Sequence, residues 1–341
     1  MGDAWPTQRR CVKRDMNIAV IGVGAMGCLF GAYLARVARI VMVGRWPEQV
    51  AALQKEGLTL VGVDGSDSHN RLHASSDPAD AYPADVALIL VKSSQTEGAA
   101  RQARRALTAA GVALTLQNGL GNVERLATVL GSERAALGVT SQGATVLAPG
   151  RVQHAGHGST HLARTPATAE TLAHLAALLN QAGLESYLTD NADGLVWAKL
   201  AVNAGINPLT ALLGVRNGYL AQSEQARGVM SRAAEEAAAV ARAQGIDLPF
   251  TDAAGRALAV ARATAANYSS MLQDVRRGVP TEIDSICGAI VEYGRRYKVA
   301  TPVNERLYQL VKRLEGGELA IGELEIGDWP MCHRGVEISS A

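Results

Sequence analysis

A lysine and two asparagines recur at four-residue spacing in an otherwise apolar stretch of the chain. Residues 197–208 read WAKLAVNAGINP, in which Lys199, Asn203 and Asn207 are each four positions apart. On a helix these three side chains share one face. A protonated lysine can stabilise negative charge on an oxygen and donate a proton, and amides can bind a small polar molecule. Polar groups on an apolar helix need partners, so a hydrogen-bond network between helices is the alternative.

A second polar set follows later in the chain. Residues 267–274 read NYSSMLQD, and Asn267 and Ser270 share a face at a spacing of three. Glu282 follows in the sequence TEID at 281–284. This sequence also has the form of a capping box, in which Glu282 would simply lie in the first turn of a helix.

A glycine motif near the start of the chain indicates a dinucleotide site. The apolar run 17–21 is typical of a buried strand and leads directly into GVGAMG, residues 22–27, after which the pattern becomes helical. In this context the glycines permit a tight turn, close approach of a pyrophosphate and packing of the helix on the strand. The positive end of the helix then faces the phosphates. We therefore predict cofactor contacts from Gly22, Gly24, Ala25, Met26 and Gly27.

The residue after the second predicted strand favours NADPH over NADH. An acid at this point usually binds the ribose 2′-hydroxyl of NAD, but this chain has Gly44 and Arg45. The guanidinium of Arg45 can bind a 2′-phosphate with two hydrogen bonds, which an acid would repel. The alternative is that Arg45 is a solvated loop residue.

Polar residues also follow two further predicted strands. Lys92 to Gln95 (KSSQ) come after the strand ending at Val91, and Asn118 lies in QNG after the strand ending at Leu116. Ligands bind at the carboxyl ends of parallel strands, so these residues are candidates for the site, although both segments could be ordinary loops.

The order of the predicted elements indicates an α/β fold: an N-terminal Rossmann-type parallel sheet with helices on both faces, and an all-helical C-terminal domain. The chain has 341 residues, which favours two domains. The predicted segments are an extension at 1–15 without order, a dinucleotide-binding domain at 16–190, a helical domain at 191–320 and a tail at 321–341. Predicted strands cover 17–21, 40–43, 85–91 and 112–116; predicted helices cover 25–35, 97–110, 192–202, 223–244, 252–277 and 285–297.

Composition excludes several classes of protein. A net charge of +1 argues against a nucleic-acid or anionic-membrane partner, and no apolar run reaches the ~18 residues of a membrane span. The four cysteines show no paired spacing, which favours a reducing, cytoplasmic compartment. His154, His157 and His161 lack metal-ligand spacing, and we interpret them as surface residues. The Ala-rich helices of the second half could form a homodimer face or pack internally.

Taken in order, the motifs GVGAMG, KSSQ, QNG, WAKLAVNAGINPLTA, NYSSMLQD and TEID resemble those of the ketopantoate reductase (2-dehydropantoate 2-reductase) family. The resemblance covers about residues 16 to 318. QNG alone is unspecific, whereas the lysine–asparagine stripe together with SSMLQD and TEID is specific. The extension at 1–15 and the tail are departures from the family core.

The resemblance implies NADPH-dependent reduction of a small 2-oxo acid, 2-dehydropantoate, to (R)-pantoate in pantothenate and coenzyme A biosynthesis. It implies that Lys199 is the general acid for the ketone oxygen and that Glu282 interacts with this lysine and with substrate or cofactor. No metal is then needed, because the lysine takes the place of a Lewis acid. The implied substrate-binding residues are Asn118, Asn203, Asn207, Asn217, Asn267 and Ser270. The implied nucleotide-binding residues beyond the glycine turn and Arg45 are Lys92, Gln95, Asn118 and Glu282.

Two alternatives stay open at this point. The same catalytic residues are expected in a D-2-hydroxy acid dehydrogenase that reduces another 2-oxo acid on this scaffold. A non-catalytic NADPH-binding sensor would tolerate loss of Lys199 or Glu282, so the presence of both argues against it.

Overall fold

The computed structural model describes residues 16–323. The predicted extension at 1–15 and most of the predicted tail, residues 324–341, lie outside the described residues. The predicted fold class is confirmed: a sheet-containing half is followed by a helical half.

Two sheets make up the first half. The strands are β1 (Asn17–Ile21), β2 (Arg39–Val43), β3 (Leu58–Val61), β4 (Asp67–Asn70), β5 (His73–Ser75), β6 (Ala84–Ile89), β7 (Leu107–Thr115), β8 (Ala135–Thr140), β9 (Gly143–Ala148), β10 (Arg151–Gly156), β11 (Thr160–Ala163) and β12 (Ser186–Thr189). The main sheet has eight strands in the order β12-β11-β8-β7-β6-β1-β2-β5. The six strands from β8 to β5 are parallel, whereas β11 runs antiparallel to β8 and parallel to β12. The second sheet has the order β4-β3-β10-β9.

Helices cover both faces of the main sheet. In this half they are α1 (Ala25–Leu34), α2 (Pro47–Lys55), α3 (Thr96–Ala106), α4 (Asn122–Leu130) and α5 (Ala169–Ala182). Alternate residues of β1 and β6 pack into a core with α1 and α5 on one face and a core with α3 and α4 on the other. The first helix, α1, lies between the two sheets, in contact with β1 and β2 on one side and β3, β9 and β10 on the other.

The second half is built around one long helix. Its helices are α6 (Ala192–Leu213), α7 (Tyr219–Gln222), α8 (Glu224–Ala243), α9 (Ala253–Ala263), α10 (Ser270–Arg276), α11 (Ala289–Tyr297) and α12 (Pro302–Glu315). Four of them, α8, α9, α10 and α12, pack on α6, which also contacts β8 and β11 of the main sheet. Six of the eight alanines of α8 lie in the core of this half, so internal packing accounts for most of the Ala-rich pattern and a homodimer face stays a prediction.

Several predicted boundaries are wrong. The helix predicted at 97–110 ends at Ala106, where the long strand β7 begins. The strands from β8 to β12 were not predicted individually; the sequence indicated only that this half of the chain contains a sheet. The helix predicted at 192–202 continues through Pro208 to Leu213, because the residues around the proline are buried and tertiary packing outweighs its low propensity. The helix predicted at 252–277 divides into α9 and α10.

The break between α9 and α10 has a local cause. Ser269 accepts a hydrogen bond from the backbone N–H of Leu272 and so begins a new helix as its N-cap. The helix predicted at 285–297 begins instead with a π-helical turn at Asp284–Gly288. This turn matters for the site because it directly follows Glu282.

The interpretation of His154 as a surface residue is also wrong, because its side chain is 1% exposed. His157 is exposed and His161 is half-buried. Cys28 and Cys287 are buried free thiols. Among residues 16–323, no helix has the length and apolar character needed to cross a membrane.

Candidate active site

The glycine turn after β1 has the geometry of a phosphate-binding turn. Gly22 has a φ of 123°, where a side chain would be strained, and a Cβ at Gly27 would lie 1.9 Å from the Gly22 carbonyl oxygen. A Cβ at Gly24, in contrast, would meet nothing within 4 Å. Gly24 is the N-cap of α1 and no side chain caps the helix, so its first N–H groups are available to a ligand. The partly exposed Ala25 and Met26 begin the helix at this point.

Arg45 is exposed just beyond the carboxyl end of β2. It faces Gln102 on α3. In the amide orientation that satisfies both groups, the Gln102 side-chain oxygen accepts hydrogen bonds from Arg45 Nε at 2.9 Å and Nη2 at 3.3 Å. The guanidinium is therefore held at the edge of the sheet where β1 and β2 both end.

The segment after β6 reaches the helical half. Lys92 Nζ lies 2.5 Å from Asp274 Oδ2 on α10, and Arg277 Nη2 donates to the other oxygen, Asp274 Oδ1, at 2.8 Å. Asp274 is 1% exposed, and its burial raises the pKa of the carboxyl group while the two cations oppose this effect. This ion pair joins the two halves. Gln95 is exposed and makes no side-chain hydrogen bond with another described residue.

Glu282 is held by residues of the sheet-containing half. Its side chain is buried, Asn118 Nδ2 donates to Oε2 at 3.1 Å, and Ser93 Oγ donates to Oε1 at 3.2 Å. Asn118 follows β7 and Ser93 follows β6, so two adjacent strand ends meet the carboxylate. A backbone hydrogen bond from Leu120 N to Ser285 O, 3.1 Å, supports the same junction.

The capping-box alternative for Glu282 is not formed. In a capping box the Asp284 carboxylate would accept from the backbone N–H of Thr281. That N–H donates instead to Glu315 Oε1 at 2.7 Å, and Asp284 accepts from Tyr308 and Lys312. Glu282 is thus placed by the interface between the halves.

Lys199 lies where α6 meets the end of β8. Its Nζ donates to the backbone carbonyl of Thr140 at 2.7 Å, and the residue is half-buried. Burial lowers the pKa of Lys199 to about 8, and the Glu282 carboxylate partly opposes this by favouring the charged form. Lys199 and Glu282 make no ion pair among the described residues, so the carboxylate acts on the ammonium through space.

The next two members of the lysine stripe continue along α6. Asn203 is half-buried and Asn207 is 7% exposed, and neither side chain makes a hydrogen bond with another residue of the described chain. The hydrogen-bond network that was the alternative to ligand binding is therefore absent from this face within residues 16–323. Polar groups so placed keep their capacity for a bound molecule.

Asn217, Asn267 and Ser270 lie near the far end of α6. Asn217 N donates to the Asn267 carbonyl at 3.0 Å, which places the two segments side by side. The Asn217 amide donates to Thr264 Oγ1 at 2.9 Å, whereas its oxygen is buried without a partner among the described residues. Asn267 and Ser270 are exposed.

Three residues of this region were not singled out from the sequence. Ser93 and Asp274 lie inside motifs that were noted, and an acid on a predicted buried helix was the available signal for Asp274. Thr140 contributes a backbone carbonyl, which no residue type reveals.

Comparisons with known proteins cover both halves. The family described as Ketopantoate reductase PanE/ApbA matches residues 18–167, and the one described as Ketopantoate reductase PanE/ApbA C terminal matches residues 191–315. The chain is 38% identical to a 2-dehydropantoate 2-reductase of Halobacterium salinarum over 299 residues, which are 87% of this chain and 98% of that protein.

Two solved structures are similar over nearly their whole lengths. A PanE/ApbA family ketopantoate reductase from Ralstonia eutropha JMP134 has a TM-score of 0.81 and 35% identity, covering 89% of this chain and 99% of that one. A D-mandelate dehydrogenase solved with NADH and anilino(oxo)acetate has a TM-score of 0.82 and 27% identity, with the same coverage of 89% and 99%.

Proposed function

Because the chain belongs to the ketopantoate reductase family, we propose that it reduces 2-dehydropantoate to (R)-pantoate with NADPH, a step of pantothenate and coenzyme A biosynthesis. The observation that carries the proposal is the position of Lys199: a half-buried ammonium on α6 at the carboxyl end of β8, at the same edge of the sheet as the nucleotide turn. Residues 16–190 are the proposed NADP-binding domain and 191–320 the proposed catalytic domain.

The residues present fit a bound NADPH. The turn from Gly22 to Gly27 leaves open space beside Gly24 and free N–H groups at the start of α1, as a pyrophosphate requires. Arg45 would bind the 2′-phosphate, and Lys92 and Gln95 would line the rest of the nucleotide site. When bound, the nicotinamide supplies the hydride.

Lys199 is the proposed proton donor. Reduction of a ketone develops negative charge on its oxygen, which an adjacent ammonium stabilises before it transfers its proton. The lowered pKa of Lys199, about 8, makes the ammonium a better acid than an exposed lysine while it remains mostly charged at pH 7. Glu282 favours that charged form, and Ser93 and Asn118 hold the carboxylate in place.

Neutral amides and one hydroxyl form the proposed substrate site. Asn203 and Asn207 lie one and two turns from Lys199 on the same face of α6, so both can bind a molecule whose ketone meets the ammonium. The buried oxygen of Asn217, which has no partner within residues 16–323, can accept a hydrogen bond from a substrate hydroxyl. Asn118, Asn267 and Ser270 complete the proposed set.

One observation favours a second candidate function. The D-mandelate dehydrogenase structure is as similar in fold as the ketopantoate reductase structure, although less similar in sequence. The second candidate is therefore reduction of another 2-oxo acid by the same lysine.

The test is the rate of NADPH oxidation with 2-dehydropantoate beside pyruvate, 2-ketoisovalerate, oxaloacetate and benzoylformate. We expect 2-dehydropantoate to have the highest kcat/KM by orders of magnitude. A different acid with the highest value would favour the second candidate, and no activity with any of the five would contradict both.

The pH dependence tests the proton donor. Because Lys199 must carry a proton, kcat/KM for reduction is expected to be full below the lysine pKa of about 8 and to fall as the pH rises through it. Each further pH unit should then reduce the rate about tenfold. A profile that stays flat to pH 10, measured with NADPH in excess, would contradict the assignment.

A further inference from the structure

A buried histidine lies between the first helix and the segment that follows β8, the strand whose last residue carries the acceptor of Lys199. His154 on β10 is 1% exposed. Its Nε2 lies 2.8 Å from Gln142 Oε1, and its Nδ1 lies 3.1 Å from the Tyr33 hydroxyl on α1. The exposed His157 meets the ring edge to face with centroids 4.2 Å apart. None of these residues has a part in the proposed reaction so far.

The hydrogen-bond partners fix the protonation state of His154. The Gln142 amide nitrogen donates to the Gly158 carbonyl, so the amide oxygen is the end that faces the histidine. An oxygen acceptor requires a proton on Nε2, which leaves Nδ1 to accept from the Tyr33 hydroxyl. Burial, and then the neighbouring His157, lower the pKa of His154, in agreement with a neutral ring.

Gln142 in turn holds the end of β8. Its backbone N–H donates to Thr140 Oγ1 at 3.2 Å, and that hydroxyl lies 2.9 Å from Thr160 Oγ1 on β11. Both threonine side chains are buried. The Thr140 carbonyl that accepts from Lys199 therefore lies two residues before Gln142, in a segment held by the pairing of β8 with β11 and by Gln142.

We propose that His154 is a positioning residue for Lys199: through Gln142 it fixes the Thr140 carbonyl against which the ammonium is held. The inference rests on the proposed function, in which Lys199 donates the proton. It also connects Lys199 to Tyr33 and so to α1, the helix whose first turn would bind the nucleotide.

The expected consequence is a change in the acidity of Lys199. A hydrogen bond to the charged form of a group favours that form, so loosening the Thr140 carbonyl should lower the lysine pKa further. Glu282 is the charged group that opposes the effect of burial. Four titratable groups on the elements packed against α6 are bound to other residues: Asp274 to Lys92 and Arg277, Asp284 to Tyr308 and Lys312, His161 to Ser159, and Glu236 to the start of α12.

The experiment compares His154→Leu with the matched control His157→Asn in the full-length protein. For each we would measure kcat/KM for 2-dehydropantoate from pH 6 to 10, the dissociation constant for NADPH and the urea midpoint. In His154→Leu we expect the alkaline limb of the profile to move to lower pH by about half a unit to one unit. We also expect kcat at pH 7 to fall about tenfold, with NADPH affinity unchanged within about twofold. The control should keep the limb of the unaltered protein.

A second, milder variant is used in case His154→Leu does not fold. Tyr33→Phe leaves the imidazole and Gln142 in place but removes the hydroxyl, and it should move the limb in the same direction by a smaller amount. An unmoved limb in a folded variant would overturn the positioning role, whatever the change in kcat. A failure of the proposed function is recognised separately, because the unaltered protein would then lack the alkaline limb or Lys199→Met would retain it.

Discussion

The ion pair between Lys92 and Asp274 should increase the stability of the protein and decrease its affinity for the cofactor. Asp274 is 1% exposed and accepts from Lys92 at 2.5 Å and from Arg277 at 2.8 Å. Lys92 is also a proposed contact of the nucleotide. If Lys92 contacts the nucleotide as proposed, the carboxylate stabilises the junction of the two halves and competes with the bound nucleotide for the same ammonium.

The substitution Asp274→Asn isolates this competition, because asparagine has the same shape and lacks the charge. A hydrogen bond to a charged group contributes about 1.5–3 kcal/mol. Lys92 and Arg277 are 36% and 49% exposed, so both cations regain hydration when the carboxylate is lost. We therefore expect a loss of about 2 kcal/mol, which lowers the urea midpoint by roughly 0.7 M at a slope of about 3 kcal/mol per M.

The two partners should differ in their effect on NADPH. Asp274→Asn should bind NADPH as tightly as the unaltered protein or up to about fivefold more tightly, a gain of ~1 kcal/mol from removing a competing anion. Lys92→Met should lose both stability and about tenfold or more in affinity. Equilibrium urea unfolding and titration of cofactor fluorescence measure the two quantities, and the double variant gives the coupling energy between the residues.

The result that would refute this reasoning is a parallel loss. If Asp274→Asn weakened NADPH binding as much as Lys92→Met, the carboxylate would be aiming the lysine at the nucleotide and would not be competing for it. If all three variants were as stable as the unaltered protein, the pair would contribute nothing to the junction.

Four further substitutions test the proposed site. Lys199→Met should reduce kcat by about 10²-fold to 10⁴-fold with NADPH affinity retained, and comparable losses in both would contradict the proton-donor role. Gly24→Ala should cost about 0.5–1 kcal/mol of stability as an N-cap change but weaken NADPH binding about 100-fold, because its methyl group would occupy the open space of the turn. In Gly27→Ala the new methyl group would overlap the Gly22 carbonyl oxygen, so the glycine turn must shift, and both stability and NADPH affinity should fall. Arg45→Asp should reduce kcat/KM for NADPH about 100-fold and leave NADH within about threefold; an unchanged preference would place 2′-phosphate recognition elsewhere.

The parts of the fold that could be predicted depend on short stretches of chain. The run 17–21 is apolar and β-branched and leads into a glycine turn, and both features depend on nearest neighbours in sequence. The four-residue spacing of Lys199, Asn203 and Asn207 likewise needs nothing beyond helix geometry, and all three lie on α6. The identity of the family followed from these local motifs.

The parts that could not be predicted depend on contacts between distant segments. Pro208 lies inside α6 because its surroundings are buried, which the local sequence does not reveal. The burial of His154 follows from the second sheet, whose strands are short and carry polar residues such as those of β4, and which was not predicted. The partner of Lys199 is a backbone carbonyl at Thr140, and every residue type carries one.

The placement of α6 explains why a reductase of this kind needs its two halves in a fixed position relative to each other. Lys199 is anchored to the sheet-containing half through Thr140, while Glu282, from the helical half, is anchored through Ser93 and Asn118. Each of the two proposed catalytic groups thus comes from the helical half but is held by strand ends at the same edge of the main sheet as the nucleotide turn. A shift of the halves would move both groups relative to the cofactor at once. Because a displacement of about 1 Å can cost 10²-fold in rate, we expect the junction formed by Asp274 and Lys92 to support catalysis through geometry as well as to stabilise the fold.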